Sequence, residues 1–316
     1  MRDEGDLLDR LSEISIRGIL LHPVFLFLIA TTVVVTTAIA TWGQFRDDIV
    51  QVEDFRLEPR NIVVSSPPPA WTSDDEIKQL VLSRLDDTGA STLNADLVPG
   101  TAGLFQSVGW VESIRRIEKT RDQLEIDLVY RNPVGLVKIG GQRPWLPVDR
   151  EGVIFDGNLV RASQPESSVV ENFLLIYVFQ PEVAGLSTWQ QWPDSRIQGA
   201  ARISEWLVPH WQRLGIKQIV SLHAPGEPAM NGDYELRPRN GDEGTVIVWG
   251  NAPGMEATGE ATPAQKIAAI NEYVTSNGPL ENAPQRGLVV DVRSGSPVLA
   301  VKIRTAGQQE ILRTFK

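Results

Sequence analysis

Hydrophobic and polar positions along this chain change period several times, and each change marks an element. After eighteen polar and charged residues, Ile19–Ala40 is an unbroken apolar run without Asp, Glu, Lys or Arg. As a helix it would reach about 33 Å, enough for a hydrocarbon core of about 30 Å. Pro23 sits in its first turn, where proline is tolerated, and Trp42 at its far end, where an indole favours an interface. Ala38-Ile39-Ala40 has the small residues of a signal-peptide cleavage site. The apolar region is longer than the usual h-region of about 7–15 residues, and the segment before it is long and acidic. The pattern therefore predicts an uncleaved transmembrane anchor over Ile19 to Ala40. Arg2, Arg10 and Arg17 precede it and Arg46, Arg56 and Arg60 follow, so flanking charge does not orient it. The short tail and long body fit a type II arrangement with the body outside the cytoplasm.

Beyond the anchor, Asn61–Val64 reads as a short strand, and Pro67-Pro68-Pro69 as a stiff connection. Ser73 and Glu76 form a capping-box pattern ahead of Ile77, Leu80, Val81 and Leu85 at helical spacing. A second helix is predicted over Ala95–Val108, its start blurred by Pro99-Gly100. Strands follow at Trp110–Ile117 and at Gln123–Tyr130, where Leu124, Ile126 and Leu128 alternate with polar neighbours. Val134–Ile139 is a further strand after Asn132-Pro133. The order is β-α-α-β-β, an α+β pattern.

The second half alternates strands and helices. Asp149–Gly157 is predicted as a hairpin strand, and Phe173–Phe179 as a buried one because it is continuously apolar. Ile197, Ala200, Ile203, Leu207, Trp211 and Leu214 recur every three or four residues, predicting a helix over Asp194–Leu214 with a kink at Pro209 and a stop at Gly215. Strands are expected at Ile216–Leu222, Tyr234–Arg237 and Thr245–Trp249. Thr262-Pro263-Ala264-Gln265 is a capping box opening a helix. Leu288–Val292 and Val298–Ile303 are expected strands joined by Ser294-Gly295-Ser296, and Thr305–Lys316 is read as a polar tail.

Several segments together resemble the cell-division family FtsQ/DivIB. Trp110-Val111-Glu112, Asp122-Gln123-Leu124-Glu125-Ile126, Tyr130-Arg131-Asn132-Pro133-Val134 and Val148-Asp149-Arg150-Glu151-Gly152-Val153 resemble its POTRA-domain motifs. Gly109 stands where the family has proline, and Tyr130 where it usually has glutamate, which marks a distant branch. Gly244–Gly250, Lys266 and Asp291-Val292-Arg293 take the places of motifs in the family's second, β domain. The resemblance implies a tail over 1–18, a transmembrane helix over 19–42, a POTRA domain over 55–140, a mixed α/β domain over 141–304 ending in antiparallel strands, and a tail over 305–316. It also implies a non-enzymatic, single-pass protein of the cytoplasmic membrane, acting in septum formation by recruiting other bitopic division proteins similar to FtsB and FtsL. The family binds partners by strand addition on the last strands of the β domain. Carried over, the template is Val298, Leu299, Ala300, Val301, Lys302 and Ile303; the alternative is a terminal strand merely packed on its sheet. Other readings are a POTRA protein of envelope assembly or secretion and an anchored extracytoplasmic enzyme.

Composition narrows the chemistry. The 316 residues include no cysteine, which excludes disulfides, thiolate metal sites and a cysteine nucleophile. Forty acidic against thirty basic residues leave a net charge of −10, the wrong sign for a nucleic-acid partner. His22, His210 and His223 have no metal-ligand spacing. Glycines at 250, 254 and 259 lack the Lys-Ser/Thr of a phosphate loop, and Gly185-Leu186-Ser187-Thr188-Trp189 has Trp where a nucleophile elbow needs Gly. Trp189 and Trp192 are read either as a contact surface or as packing for the following helix. No catalytic residue, cofactor or metal site is expected.

Overall fold

The computed structural model describes residues 23–50, 56–85, 91–139, 145–162, 170–222, 234–282, 287–303 and 311–314. Contacts divide the chain into two units, Met1–Ser65 with Asp75–Leu104 and Arg116–Asp127, and Ser66–Asp74 with Phe105–Arg115 and Leu128–Lys316.

Helix α1 spans Pro23–Val50. Its threonines do not disrupt it, because Thr31, Thr32, Thr36 and Thr41 each donate a 2.8 Å hydrogen bond to the carbonyl four residues back. The anchor expectation is corrected here: among the described residues no helix is long and apolar enough to cross a membrane. Positions 19–22 of the expected span lie outside the described residues. Within the apolar part of the described helix Thr31, Thr32, Thr36, Thr37 and Thr41 lower the mean hydropathy. Charged residues begin soon after, at Arg46, Asp47 and Asp48.

The following elements keep the expected order. They are β1 (Ile62–Val64), α2 (Asp74–Arg84), α3 (Leu97–Ser107), β2 (Val111–Lys119) and β3 (Leu124–Tyr130), and the three strands form a sheet ordered β1-β3-β2. Alternation in β3 buries Leu124, Ile126 and Leu128 on one face. Strand β1 joins it in parallel, with Ile62 opposite Leu124 and Val64 opposite Ile126. In α2, Ile77 and Val81 lie one turn apart and are wholly buried. Pro99 and Gly100 fall inside the first turn of α3 instead of delaying its start, since a first-turn N–H needs no intrahelical acceptor.

A nine-stranded mixed sheet builds the second unit, ordered β12-β11-β10-β9-β8-β7-β6-β4-β5. Its strands are β4 (Gly135–Lys138), β5 (Trp145–Val148), β6 (Leu174–Val178), β7 (Gln218–Ser221), β8 (Tyr234–Arg237), β9 (Val246–Gly250), β10 (Leu288–Asp291), β11 (Val298–Ile303) and β12 (Ile311–Thr314). Its helices are α4 (Gly157–Ala162), α5 (Ser195–Leu207), α6 (Trp211–Leu214) and α7 (Pro263–Asn277). The pairs β4–β6, β6–β7 and β9–β10 are parallel, and helices carry the β6–β7 and β9–β10 crossovers. Ile197, Ala200, Ile203 and Leu207 of α5 and Ile267 and Ile270 of α7 form the main core with Ile176, Ile219, Ile247 and Val290 of the sheet. Strands β6 and β9 are apolar along nearly their whole length because that packing covers one face while the other joins a separate cluster, Leu175 of β6 with Leu136, Phe155 and Val160, and Val246 and Val248 of β9 with Val289.

Four boundaries differ from expectation. The strand at 134–139 belongs to the large sheet, between β5 and β6, and not to the smaller one. Of the hairpin strand expected at 149–157, 149–152 is the turn and 153–155 a short return bridged to β5, the regular strand just before it. The long helix is two: α5 ends at Leu207, and α6 starts at Trp211 after a turn containing Pro209. Proline supplies no N–H to the preceding turn and its ring crowds that turn's carbonyl, so the helix stops instead of bending. The expected polar tail carries β12. Thr262 and Gln265 complete the expected reciprocal box and Gly215, the expected stop, closes α6 in the left-handed region at φ 74°; Asp194, expected as the first helical residue, is instead the cap of α5 and accepts from the Arg196 N–H.

Candidate partner-binding edge

The motif residues at the start of the large sheet converge. Arg131 Nη1 lies 2.6 Å from Asp149 Oδ2, and the Arg131 N–H donates to the Trp110 carbonyl at 3.0 Å. The Trp110 and Tyr130 rings are 5.9 Å apart. Asp149 is almost wholly buried, and its Oδ1 accepts from the N–H groups of Glu151 and Val153 at 2.9 and 2.8 Å. Arg150 pairs with Glu112 and, at 3.2 Å, with Glu205. Three segments far apart in sequence therefore hold one tight turn at 149–152.

That turn decides the fate of one sheet edge. It sends 153–155 back along the outer side of β5: Asp149 N–H donates to the Val153 carbonyl, Phe155 N–H to the Pro147 carbonyl at 2.9 Å, and Val148 bridges Ile154. Ile154 in turn exchanges hydrogen bonds with the segment 189–190. Pro147 has no N–H to offer. The β5 edge is closed.

The opposite edge is built differently. Strand β10 is buried at Val289 and Val290 and pairs in parallel with β9. The end of this pair is held by a node around Glu260. Its carboxylate takes the Lys266 ammonium at 2.6 Å, the Asn251 amide at 2.6 Å and the N–H groups of Asn251 and Ala257 at 2.8 Å. Burial pushes the Glu260 carboxyl up, but these donors outweigh it and hold the group below the usual carboxylate range. Gly250, at φ 89°, has no room for a side chain: a Cβ there would lie 2.3 Å from Glu260 Oε1 and 2.8 Å from Arg293 Cγ. Arg293 grips Asp291 through Nε and Nη2, and its carbonyl accepts from Ala261 at 2.7 Å. The second set of motif residues thus meets around a glutamate that sequence reasoning passed over in a Gly-rich linker. Its only local signal was its place two residues ahead of the capping box.

The expected template is β11, and the structure places it one strand too early to be an edge. Asp291, Val290, Val289 and Leu288 of β10 pair with Val298, Leu299, Ala300 and Val301. On the other side Ala300, Val301, Lys302 and Ile303 pair with Thr314, Arg313, Leu312 and Ile311. The edge of the sheet is β12, and among the described residues nothing pairs with its outer side. Leu299 is exposed even so. Strand β12 has no proline, in contrast to β5.

The remaining candidates resolve individually. Trp192 is wholly buried with its Nε1–H on the Glu182 carbonyl at 2.7 Å, and half-buried Trp189 packs against Phe155, so both serve packing. His210 immediately precedes α6, while His22 and His223 lie outside the described residues. Gly254 and Gly259 have positive φ and open surroundings, as turn glycines do. Among the described residues no group of three His, Asp or Glu side chains could hold a metal ion. Comparison of the chain with protein-family models and with curated proteins finds no match.

Proposed function

We propose that this chain is a non-enzymatic scaffold of the FtsQ/DivIB kind, acting in septum formation by recruiting partner division proteins through strand addition to β12. The observation that carries this reading is the asymmetry of the large sheet. One edge is sealed by the 149–155 turn and Pro147, whereas the other ends in a strand without proline or cover among the described residues. An unpaired edge offers a row of N–H and C=O groups that another chain's strand satisfies, and natural proteins ordinarily blunt such edges unless they use them. The division assignment rests on the motif resemblance, whose residues build the closed turn and the Glu260 node.

The test is septal localisation of an N-terminal fluorescent fusion, followed by proline substitutions in β12. Alternate residues of a strand direct their N–H groups to opposite neighbours. Of Leu312→Pro and Arg313→Pro, the one whose N–H faces outward should abolish partner recruitment while leaving the fold intact. An even distribution of the fusion throughout the cell cycle would remove the division role. Recruitment that survives both substitutions would remove the edge.

A further inference from the structure

A second surface, sharing no residue with the β12 edge, lies where the end of α5 meets the 149–152 turn. Helix α5 buries Ile197, Ala200, Ile203 and Leu207, yet its last turn carries Trp206 with 43% of its surface exposed. Trp206 lines an open groove of about 510 Å³ with Arg202 and Glu205 of the same helix, Arg150 and Glu151 of the turn, and Pro253.

The carboxylates around this groove outnumber the guanidiniums that answer them. Arg131 is taken up by Asp149, 2.6 Å away and almost wholly buried. Arg150 is closest to Glu112, whose side chain is also mostly buried. The same two arginines must serve an outer pair: Glu151 lies 3.8 Å from Arg131, and Glu205 lies 3.2 Å from Arg150. The carboxylates with the longer contacts are thus the exposed ones, with 53% of the Glu151 side chain and 41% of the Glu205 side chain open to solvent. Gln191 does not relieve Glu151, because its amide donates to the Glu151 carbonyl and not to the carboxylate. Counting half-buried Arg202 as well, three guanidiniums stand against four carboxylates. The surplus is negative and sits at the surface, beside an exposed indole.

We infer that this groove docks a basic segment of a partner protein, with an arginine side chain lying on Trp206 and its guanidinium taken by the carboxylates of Glu151 and Glu205. The negative face of an indole attracts a cation, most strongly where water is displaced. Guanidinium suits the site better than ammonium, because it stacks flat on a ring while its edges donate to two carboxylates at once. Tryptophan and arginine are also the side chains that most often dominate the energy of protein interfaces. The net charge of −10 favours the approach of a cationic partner. A bare metal ion is a poorer fit, since among the described residues no group of three acidic or histidine side chains could hold one.

Selection of random twelve-residue peptides displayed on phage tests this on the full chain, with counter-selection on the Glu151→Gln/Glu205→Gln/Trp206→Ala variant. All three side chains reach the surface, and Arg150 and Arg131 keep Glu112 and Asp149, so circular dichroism and the melting temperature of the variant should match the unsubstituted chain. The expected result is enrichment of peptides containing arginine. A synthetic copy of the enriched peptide should bind at least about tenfold more weakly to Trp206→Ala, to Glu151→Gln/Glu205→Gln, and to the unsubstituted chain when its arginine is replaced by neutral citrulline. Replacing that arginine by lysine should weaken binding less than citrulline does. Binding should be unaffected by Leu312→Pro or Arg313→Pro. No enrichment, enrichment of acidic or purely apolar peptides, or equal binding to the triple variant would overturn the proposal. A peptide whose binding is lost only with the β12 substitutions would overturn it too, and would assign the interaction to the sheet edge.

Discussion

Replacing Gly109 by alanine adds one methyl group, and the consequence can be worked out from its surroundings. A Cβ at residue 109 would sit 2.0 Å from Trp189 Cγ, 2.4 Å from its Cβ and 2.5 Å from its Cδ1. The backbone of Gly109 is not in the left-handed region. Without the crowding, alanine would therefore stabilise the fold by about 0.4–1 kcal/mol through the unfolded chain. With it, the indole must leave its place. Trp189 is itself held at φ 66°, an unfavourable conformation for a bulky residue, by its N–H bond to the Ile154 carbonyl at 2.7 Å and by edge contact with Phe155 at 5.0 Å. Overpacking costs about 1–3 kcal/mol and loss of the aromatic contact about 0.5–1.5 kcal/mol, so Gly109→Ala should destabilise by roughly 2–4 kcal/mol. Urea unfolding followed by far-ultraviolet circular dichroism measures this. The decisive comparison is the double-mutant cycle with Trp189→Gly, which removes the Cβ as well as the indole. With both gone the methyl has room, so the double variant should be no less stable than Trp189→Gly alone. A Gly109→Ala protein as stable as the unsubstituted chain, or strict additivity with Trp189→Gly, would refute the reasoning.

Truncating Asp149 to alanine removes the acceptor of two N–H groups and strands a largely buried guanidinium. Its expected cost is about 3–5 kcal/mol by denaturant unfolding. Stability should fall in acid through Glu260 and Asp194. Burial raises the Asp194 carboxyl, but the Arg196 guanidinium and the Glu182 and Arg196 N–H groups outweigh it, and both carboxyls sit below their ordinary values. Groups lowered in the folded state contribute fully above their unfolded values of about 3.9 and 4.3, and lose that contribution as pH drops through the folded ones. Glu260→Gln should therefore flatten the acid side of a stability-against-pH curve, and an unchanged slope would count against the Glu260 node. Thr262→Ala breaks the capping box of α7 and should cost about 1 kcal/mol, read as a shift in the urea midpoint.

Local rules and long-range pairing contributed differently to this protein. The alternation of β3, the capping box at Thr262, the buried faces of α2 and α5 and the stop at Gly215 were all legible, because each depends on residues within a turn or two of one another. The α+β order followed from them. The end of α5 was misjudged by a matter of degree, since proline either bends or stops a helix and only the packing beyond it decides which. The apolar run after residue 18 is plain in the sequence.

What no window of sequence carries is which strand neighbours which. Val134–Ile139 can pair wherever a hydrogen-bonding edge is free, and the tertiary structure assigns it to the large sheet. Whether β11 is an edge depends on four residues, Ile311–Thr314, embedded in a polar tail too short to show a period. Gly109 and Trp189 are eighty positions apart, and their exclusion of a methyl group exists only once both are placed. The sequence by itself determined most of the helices and strands and their burial patterns, because these follow from backbone geometry repeated every two or 3.6 residues. Only the tertiary structure decided which edge is closed and which is open, because edges are made by segments that meet through space.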